Sequence, residues 1–121
     1  MFEVSVKGDI ASSHILPGYP GKCKDLHGHT WKIEVTIAGE KLDAIGLLVD
    51  FRQVKKDLHD LLETLDHKHL NDLPAFKNVN PSTENLARHI YEEFAKTIAA
   101  PLHLKKVTVW ESDSSRVTYF L

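Results

Sequence analysis

The chain has 121 residues, 42% hydrophobic and 26% charged, with a formal net charge of -2, a composition that suits one globular domain over residues 1–121 and excludes a disordered or fibrous protein. Its charge offers no overall positive field to nucleic acid, no apolar run approaches the roughly 18 residues that cross a bilayer, and the opening Met1-Phe2-Glu3-Val4 lacks the pattern of a basic stretch followed by an apolar one. The expectation is a cytoplasmic protein with neither a nucleic-acid nor a membrane partner.

From Phe2 to Ile10, apolar Phe2, Val4 and Val6 alternate with Glu3, Ser5 and Lys7, the period of a half-buried strand running towards His14. The two prolines and two glycines of Pro17-Gly18-Tyr19-Pro20-Gly21 break regular pairing and predict a loop. Trp31, Ile33, Val35 and Ile37 then alternate with polar residues up to Gly39, predicting a second strand. Asp50 and Gln53 are spaced for a reciprocal cap, and Val54, Leu58, Leu61, Leu62 and Leu65 recur at helical spacing, predicting a helix over 51–65. A second helix, opened by Asn80 or Ser82, carries Leu86, Ile90, Phe94 and Ile98 on one stripe and must stop before Pro101. Two β-rich runs, 106–111 and 116–120, flank the polar turn Ser112 to Ser115. The order ββααββ predicts an α+β domain, a four-stranded antiparallel sheet with both helices on one face. Its two open edges favour pairing with another copy, hence a homo-oligomer.

One cysteine excludes an intramolecular disulfide, leaving Cys23 as core filler, metal ligand or reactive thiol. His27 and His29, two apart on extended backbone, project from the same face, and pairing of the first two strands brings His14 alongside. Three imidazoles with a free fourth position are the usual arrangement for catalytic zinc; with Cys23 as the fourth ligand the site would instead be a closed structural one. Gly28 adds no side chain to crowd it. Asp66 before His67 suits a proton-transfer pair, or simply a polar helix end. Glu111, where an apolar strand meets a turn, can accept paired hydrogen bonds from an amino-heterocycle, or be an ordinary surface acid. His59, His89 and His103 are expected to be solvated.

Cys23-x-x-x-His27-Gly28-His29 after His14, then Leu65-Asp66-His67, Pro81-Ser82-Thr83-Glu84-Asn85 and Trp110-Glu111, resembles the 6-pyruvoyl-tetrahydropterin synthase family over nearly the whole chain. The three-residue gap between Cys23 and His27 is similar to the bacterial 6-carboxy-tetrahydropterin synthase branch of the queuosine pathway. The resemblance implies a T-fold, trimers or hexamers with sites between subunits, and a zinc-dependent lyase acting on a pterin triphosphate. It implies zinc on His14, His27 and His29, a catalytic thiol at Cys23, a catalytic pair in Asp66 and His67, and pterin contacts from Glu111, Thr83 and Ser82. Lys22, Lys24 and Lys68 are candidates for the triphosphate, among which the sequence does not choose. The rival readings are 6-pyruvoyl formation without carbon–carbon cleavage and a non-catalytic, zinc-stabilised oligomer.

Overall fold

A computed structural model describes residues 1–21 and 25–121. Four strands, β1 (Phe2–His14), β2 (His27–Gly39), β3 (His103–Ser112) and β4 (Ser115–Tyr119), form one antiparallel sheet in the order β1-β2-β3-β4. Two helices, α1 (Phe51–Glu63) and α2 (Thr83–Ala95), lie between β2 and β3 in the chain. The α+β arrangement expected from the sequence is the one observed.

The alternation of β2 sets the core. Trp31, Ile33, Val35 and Ile37 are fully buried on one face, where they meet Val6 and Ile10 of β1 and Val107 and Val109 of β3. Helix α1 covers this face through Val54, Leu58 and Leu62, and α2 through Leu86, Ile90 and Phe94. Removing such side chains from water is the main source of stability, each contributing about 1.5–3 kcal/mol. Gly8 lets α1 approach β1: a Cβ there would lie 2.7 Å from Leu62 Cδ1. Among the described residues the opposite face carries no helix and is mostly polar; its buried Thr36 and Thr108 hydroxyls are satisfied by Ser5 and Thr118 at 2.9 and 3.0 Å.

Element ends differ from expectation where capping decides them. Asp50 accepts from the Arg52 backbone N–H, but Gln53 does not reciprocate; its amide donates to Asp57 instead. Helix α1 stops at Glu63, two residues early, because Thr64 closes it with its backbone N–H on Leu61 and Leu62. Ser82, not Asn80, caps α2, accepting from the Asn85 N–H at 3.1 Å. Ile98 lies beyond the end of α2, although it packs on the core. β2 begins at His27 rather than Trp31, and β3 begins at His103.

The edge of β1 is not fully open. After α1 the chain runs along it: Ala11 donates to Asp66 Oδ1 at 2.7 Å and accepts from the His67 N–H at 2.8 Å, and Ser13 donates to the Lys68 carbonyl at 3.0 Å. Among the described residues, no helix is long and apolar enough to cross a membrane.

Candidate active site

The register of β1 against β2 sets His14 opposite His27 and Ser12 opposite His29, one step beyond the Ile10–Trp31 pair. Directly opposed residues share a face, so all three imidazoles lie on the helix side at one end of the sheet. Glu111, near the end of β3, joins them: the donor atoms of His14, His27, His29 and Glu111 all lie within 4.8 Å of one another. Trp31 packs beneath, its ring edge-on to His14 and His29 at 4.9 and 5.1 Å between centroids.

Supporting contacts fix which nitrogens face inward. His14 Nδ1 lies 2.8 Å from the Pro81 carbonyl and His27 Nδ1 lies 2.6 Å from the Asp25 carbonyl. A carbonyl only accepts, so both Nδ1 atoms carry the proton and both Nε2 atoms present lone pairs. Those two Nε2 atoms face each other at 2.8 Å. His29 Nε2 is buried without a hydrogen-bond partner; Glu111 Oε1 lies 3.2 Å away but outside hydrogen-bond geometry. Opposed lone pairs and an orphaned buried nitrogen are what a cation relieves, and three imidazoles with one carboxylate suit a divalent metal such as zinc.

Burial pushes the His14 imidazole below its ordinary pKa, its His27 and His29 neighbours adding to this while the Pro81 carbonyl and Glu111 oppose it. His29 is lowered as well, mainly by burial, against the pull of Glu111. Both are held in the neutral, metal-binding form.

Segment 66–71 clamps β1 on both sides of His14. Ser13 Oγ lies 3.0 Å from His69 Nδ1, and the Asn71 side chain pairs with Ile15 twice, accepting from its N–H at 2.8 Å and donating to its carbonyl at 3.0 Å. Asp66 accepts from two backbone N–H groups and lies 3.5 Å from His67 Nε2. His67 has a left-handed backbone, φ 53°, and an exposed side chain. It shares an open groove of about 580 Å³ with His29, Gly28 and Ser13. On the other side, Glu111 and Thr83 line a smaller cleft of about 170 Å³ with Glu84 and Arg116.

Of the residues singled out from the sequence, His14, His27, His29 and Glu111 converge, and Thr83 joins Glu111. Ser82 is engaged in capping α2 and is not among the residues lining the cleft. Asp66 and His67 stand together at the groove, while Cys23 lies outside the described residues. His59 and His103 are exposed as expected, but His89 is not solvated: it is half-buried with its ring 5.5 Å from Phe76. Glu111 as a member of the metal cluster, the Pro81 and Asp25 carbonyls, and the Asn71 clamp were not read from the sequence. Apart from the Asp25 carbonyl, two residues before His27, they arise from contacts across long stretches of chain that leave no local pattern.

The sequence profile of 6-pyruvoyl tetrahydropterin synthase matches residues 3–120. The chain is 37% identical over 103 residues to the 6-pyruvoyl tetrahydrobiopterin synthase of Homo sapiens, covering 82% of this chain and 70% of that protein. It is 36% identical over 96 residues to the 6-carboxy-5,6,7,8-tetrahydropterin synthase of Bacillus subtilis, covering 75% and 64%. It is 36% identical over 90 residues to the dihydroneopterin monophosphate aldolase of Pyrococcus furiosus, covering 74% of each. The 6-pyruvoyl tetrahydropterin synthase of Caenorhabditis elegans superposes with a TM-score of 0.89 at 27% identity, covering 99% of this chain and 95% of that one, and the fold is therefore a T-fold. With the profile spanning all but the chain's first two residues and its last, this protein belongs to the 6-pyruvoyl tetrahydropterin synthase family.

Proposed function

We propose that the chain is a cytoplasmic, zinc-dependent lyase that converts 7,8-dihydroneopterin triphosphate and water into 6-carboxy-5,6,7,8-tetrahydropterin, acetaldehyde and triphosphate. The observation that carries this reading is the convergence of His14, His27, His29 and Glu111 at one end of a T-fold sheet. The Cys23-x-x-x-His27 spacing favours the 6-carboxy product over the 6-pyruvoyl one.

His14, His27 and His29 would hold the metal. A divalent ion there supplies Lewis acidity to a substrate oxygen. The remaining work falls to the chain's own groups. Glu111 and Thr83, which share a cleft, anchor the pterin, the carboxylate accepting from adjacent ring N–H groups. Cys23 and His67 move protons during tautomerisation and loss of triphosphate, with Asp66 orienting His67. The exposure of His67 supports a role at a neighbouring subunit's site, so the active form would be a homo-oligomer with shared sites.

The 6-pyruvoyl and 6-carboxy products differ by one hydrolytic cleavage of the side-chain carbon–carbon bond. Incubating the protein with 7,8-dihydroneopterin triphosphate and assaying acetaldehyde therefore decides between them. Acetaldehyde equal to the triphosphate released is expected; triphosphate without acetaldehyde would move the chain to the 6-pyruvoyl activity. Cleavage of a monophosphate substrate alone would replace this reading with the chemistry named for the archaeal relative.

A further inference from the structure

The chain that follows α1 pairs with the end of β1, and the last rung of that pairing is made by a side chain. Ala11 and Ser13 are held by the backbone of His67 and Lys68, and Ser13 forms a parallel bridge with His69. A further backbone rung, at Ile15, requires the chain to stay extended beyond His69. Instead, Leu70 turns into the core, where it is fully buried, and its carbonyl closes a single helical turn by accepting from the Leu73 N–H at 3.0 Å. The Asn71 amide takes the place of the missing backbone. Its oxygen accepts from the Ile15 N–H at 2.8 Å and its nitrogen donates to the Ile15 carbonyl at 3.0 Å. An amide offers a donor and an acceptor side by side, as a strand neighbour does; a carboxylate of the same length has no donor.

The tether acts next to His14. The register of β1 against β2 ends at the His14–His27 pair, so Ile15 is the first residue beyond it, and strand ends without partners fray. The Pro81 carbonyl directs the His14 ring through Nδ1, but the backbone of His14 is directed by what holds Ser13 before it and Ile15 after it. Movement of that backbone carries Nε2 out of the cluster in which the four donor atoms lie within 4.8 Å of one another.

We propose that Asn71 is a positioning residue for His14, setting the metal affinity of the site through the Ile15 peptide without touching the metal or the ring. The role rests on the reading of His14, His27 and His29 as metal ligands; the tether itself does not. Groups that orient metal ligands from outside the coordination shell set affinity by about 10–100-fold, and Asn71 is expected to act in that range.

The test measures zinc affinity of the full chain by competition with a chromophoric chelator, in wild type, Asn71→Ala, Asn71→Asp and Thr36→Val. Thr36→Val gives up a hydrogen bond to Ser5 on the other face of the sheet and reports the effect of lost stability alone. Asn71→Ala should bind zinc about 10–100-fold more weakly, Asn71→Asp, which keeps only the acceptor, should fall between, and Thr36→Val should match wild type. Cobalt, which imidazole sites also accept, should give altered visible bands in the Asn71 variants and not in Thr36→Val. In chelated protein, hydrogen exchange at the Ile15 amide should quicken in Asn71→Ala while Ile33 and Val35 stay protected. If the Ala variant does not fold, Asn71→Asp carries the same comparison. Zinc bound equally tightly by wild type and both Asn71 variants overturns the positioning role alone, as does an equal loss in Thr36→Val. A wild type that takes up no zinc overturns the metal reading and the role with it, and faster Ile15 exchange in Asn71→Ala then leaves only the tether.

Discussion

His14 and His27 turn their Nε2 atoms towards each other at 2.8 Å, each having committed Nδ1 to a backbone carbonyl. Two neutral imidazoles hold that arrangement only with a cation or a proton between them. His27→Ala should therefore weaken divalent-metal binding by more than about a hundredfold, beyond the cost of losing a supporting hydrogen bond. Secondary structure should be retained, since Trp31, Ile33, Val35 and Ile37 continue to fill the core. Metal content after dialysis checks this, and wild-type stoichiometry in the variant would refute the triad.

Cys23→Ala separates a thiol that moves protons from one that ligates. The variant should keep its metal while turnover falls by about 10²–10⁴. Loss of the metal together with activity would make the thiol a fourth ligand, with a closed site in place of an open one.

Asp66 and His67 combine structural and chemical roles that substitution can part. Asp66→Asn keeps an oxygen for the Ala11 and His67 N–H groups, so stability should hold, whereas Asp66→Ala leaves those donors without it and should cost about 1–2 kcal/mol. Both variants should lose turnover, because neither keeps a carboxylate beside the His67 ring. His67 adopts φ 53°, which costs a non-glycine residue about 1–2 kcal/mol. His67→Gly should therefore match or exceed wild-type stability in chemical denaturation while turnover falls, a pattern expected where strain is kept for function.

The pH dependence of stability has a contribution away from the metal. Burial lowers the His89 pKa below 6.5, with Lys96 adding to this and Glu93 and Glu92 opposing it. The native state therefore favours neutral His89, while the unfolded chain takes up the proton near its ordinary pKa. Stability from this group is complete above about pH 6.5 and is lost as pH falls through the native value. His89→Gln should flatten the decline of metal-free protein below pH 6.5 in denaturant titrations, leaving its value at pH 8 dependent only on packing against Phe76. An unchanged slope would contradict the assignment.

Much of this was legible in the residues, and the reasons differ by element. Period-2 alternation in β1 and β2 and the helical stripes reveal what is buried, because burial demands apolar groups at a fixed repeat. The spacing of His27 and His29 reveals a shared face for the same reason. Helix ends were read less well: Asp50 with Gln53 has the spacing of a reciprocal cap, but Gln53 finds Asp57 one turn on. His89 among charged neighbours suggests solvent, yet Phe76 from a distant turn covers it. The meeting of Glu111 with His29 depends on β2 and β3 pairing across more than seventy residues, and nothing local to either residue signals it.

The most direct test of the central claim is to titrate zinc into chelated protein while following consumption of 7,8-dihydroneopterin triphosphate. Activity should rise in proportion to bound metal and level off at one ion per chain, with His14→Ala inactive throughout. Full turnover in the metal-free protein, or one ion bound per chain with no turnover, would contradict it.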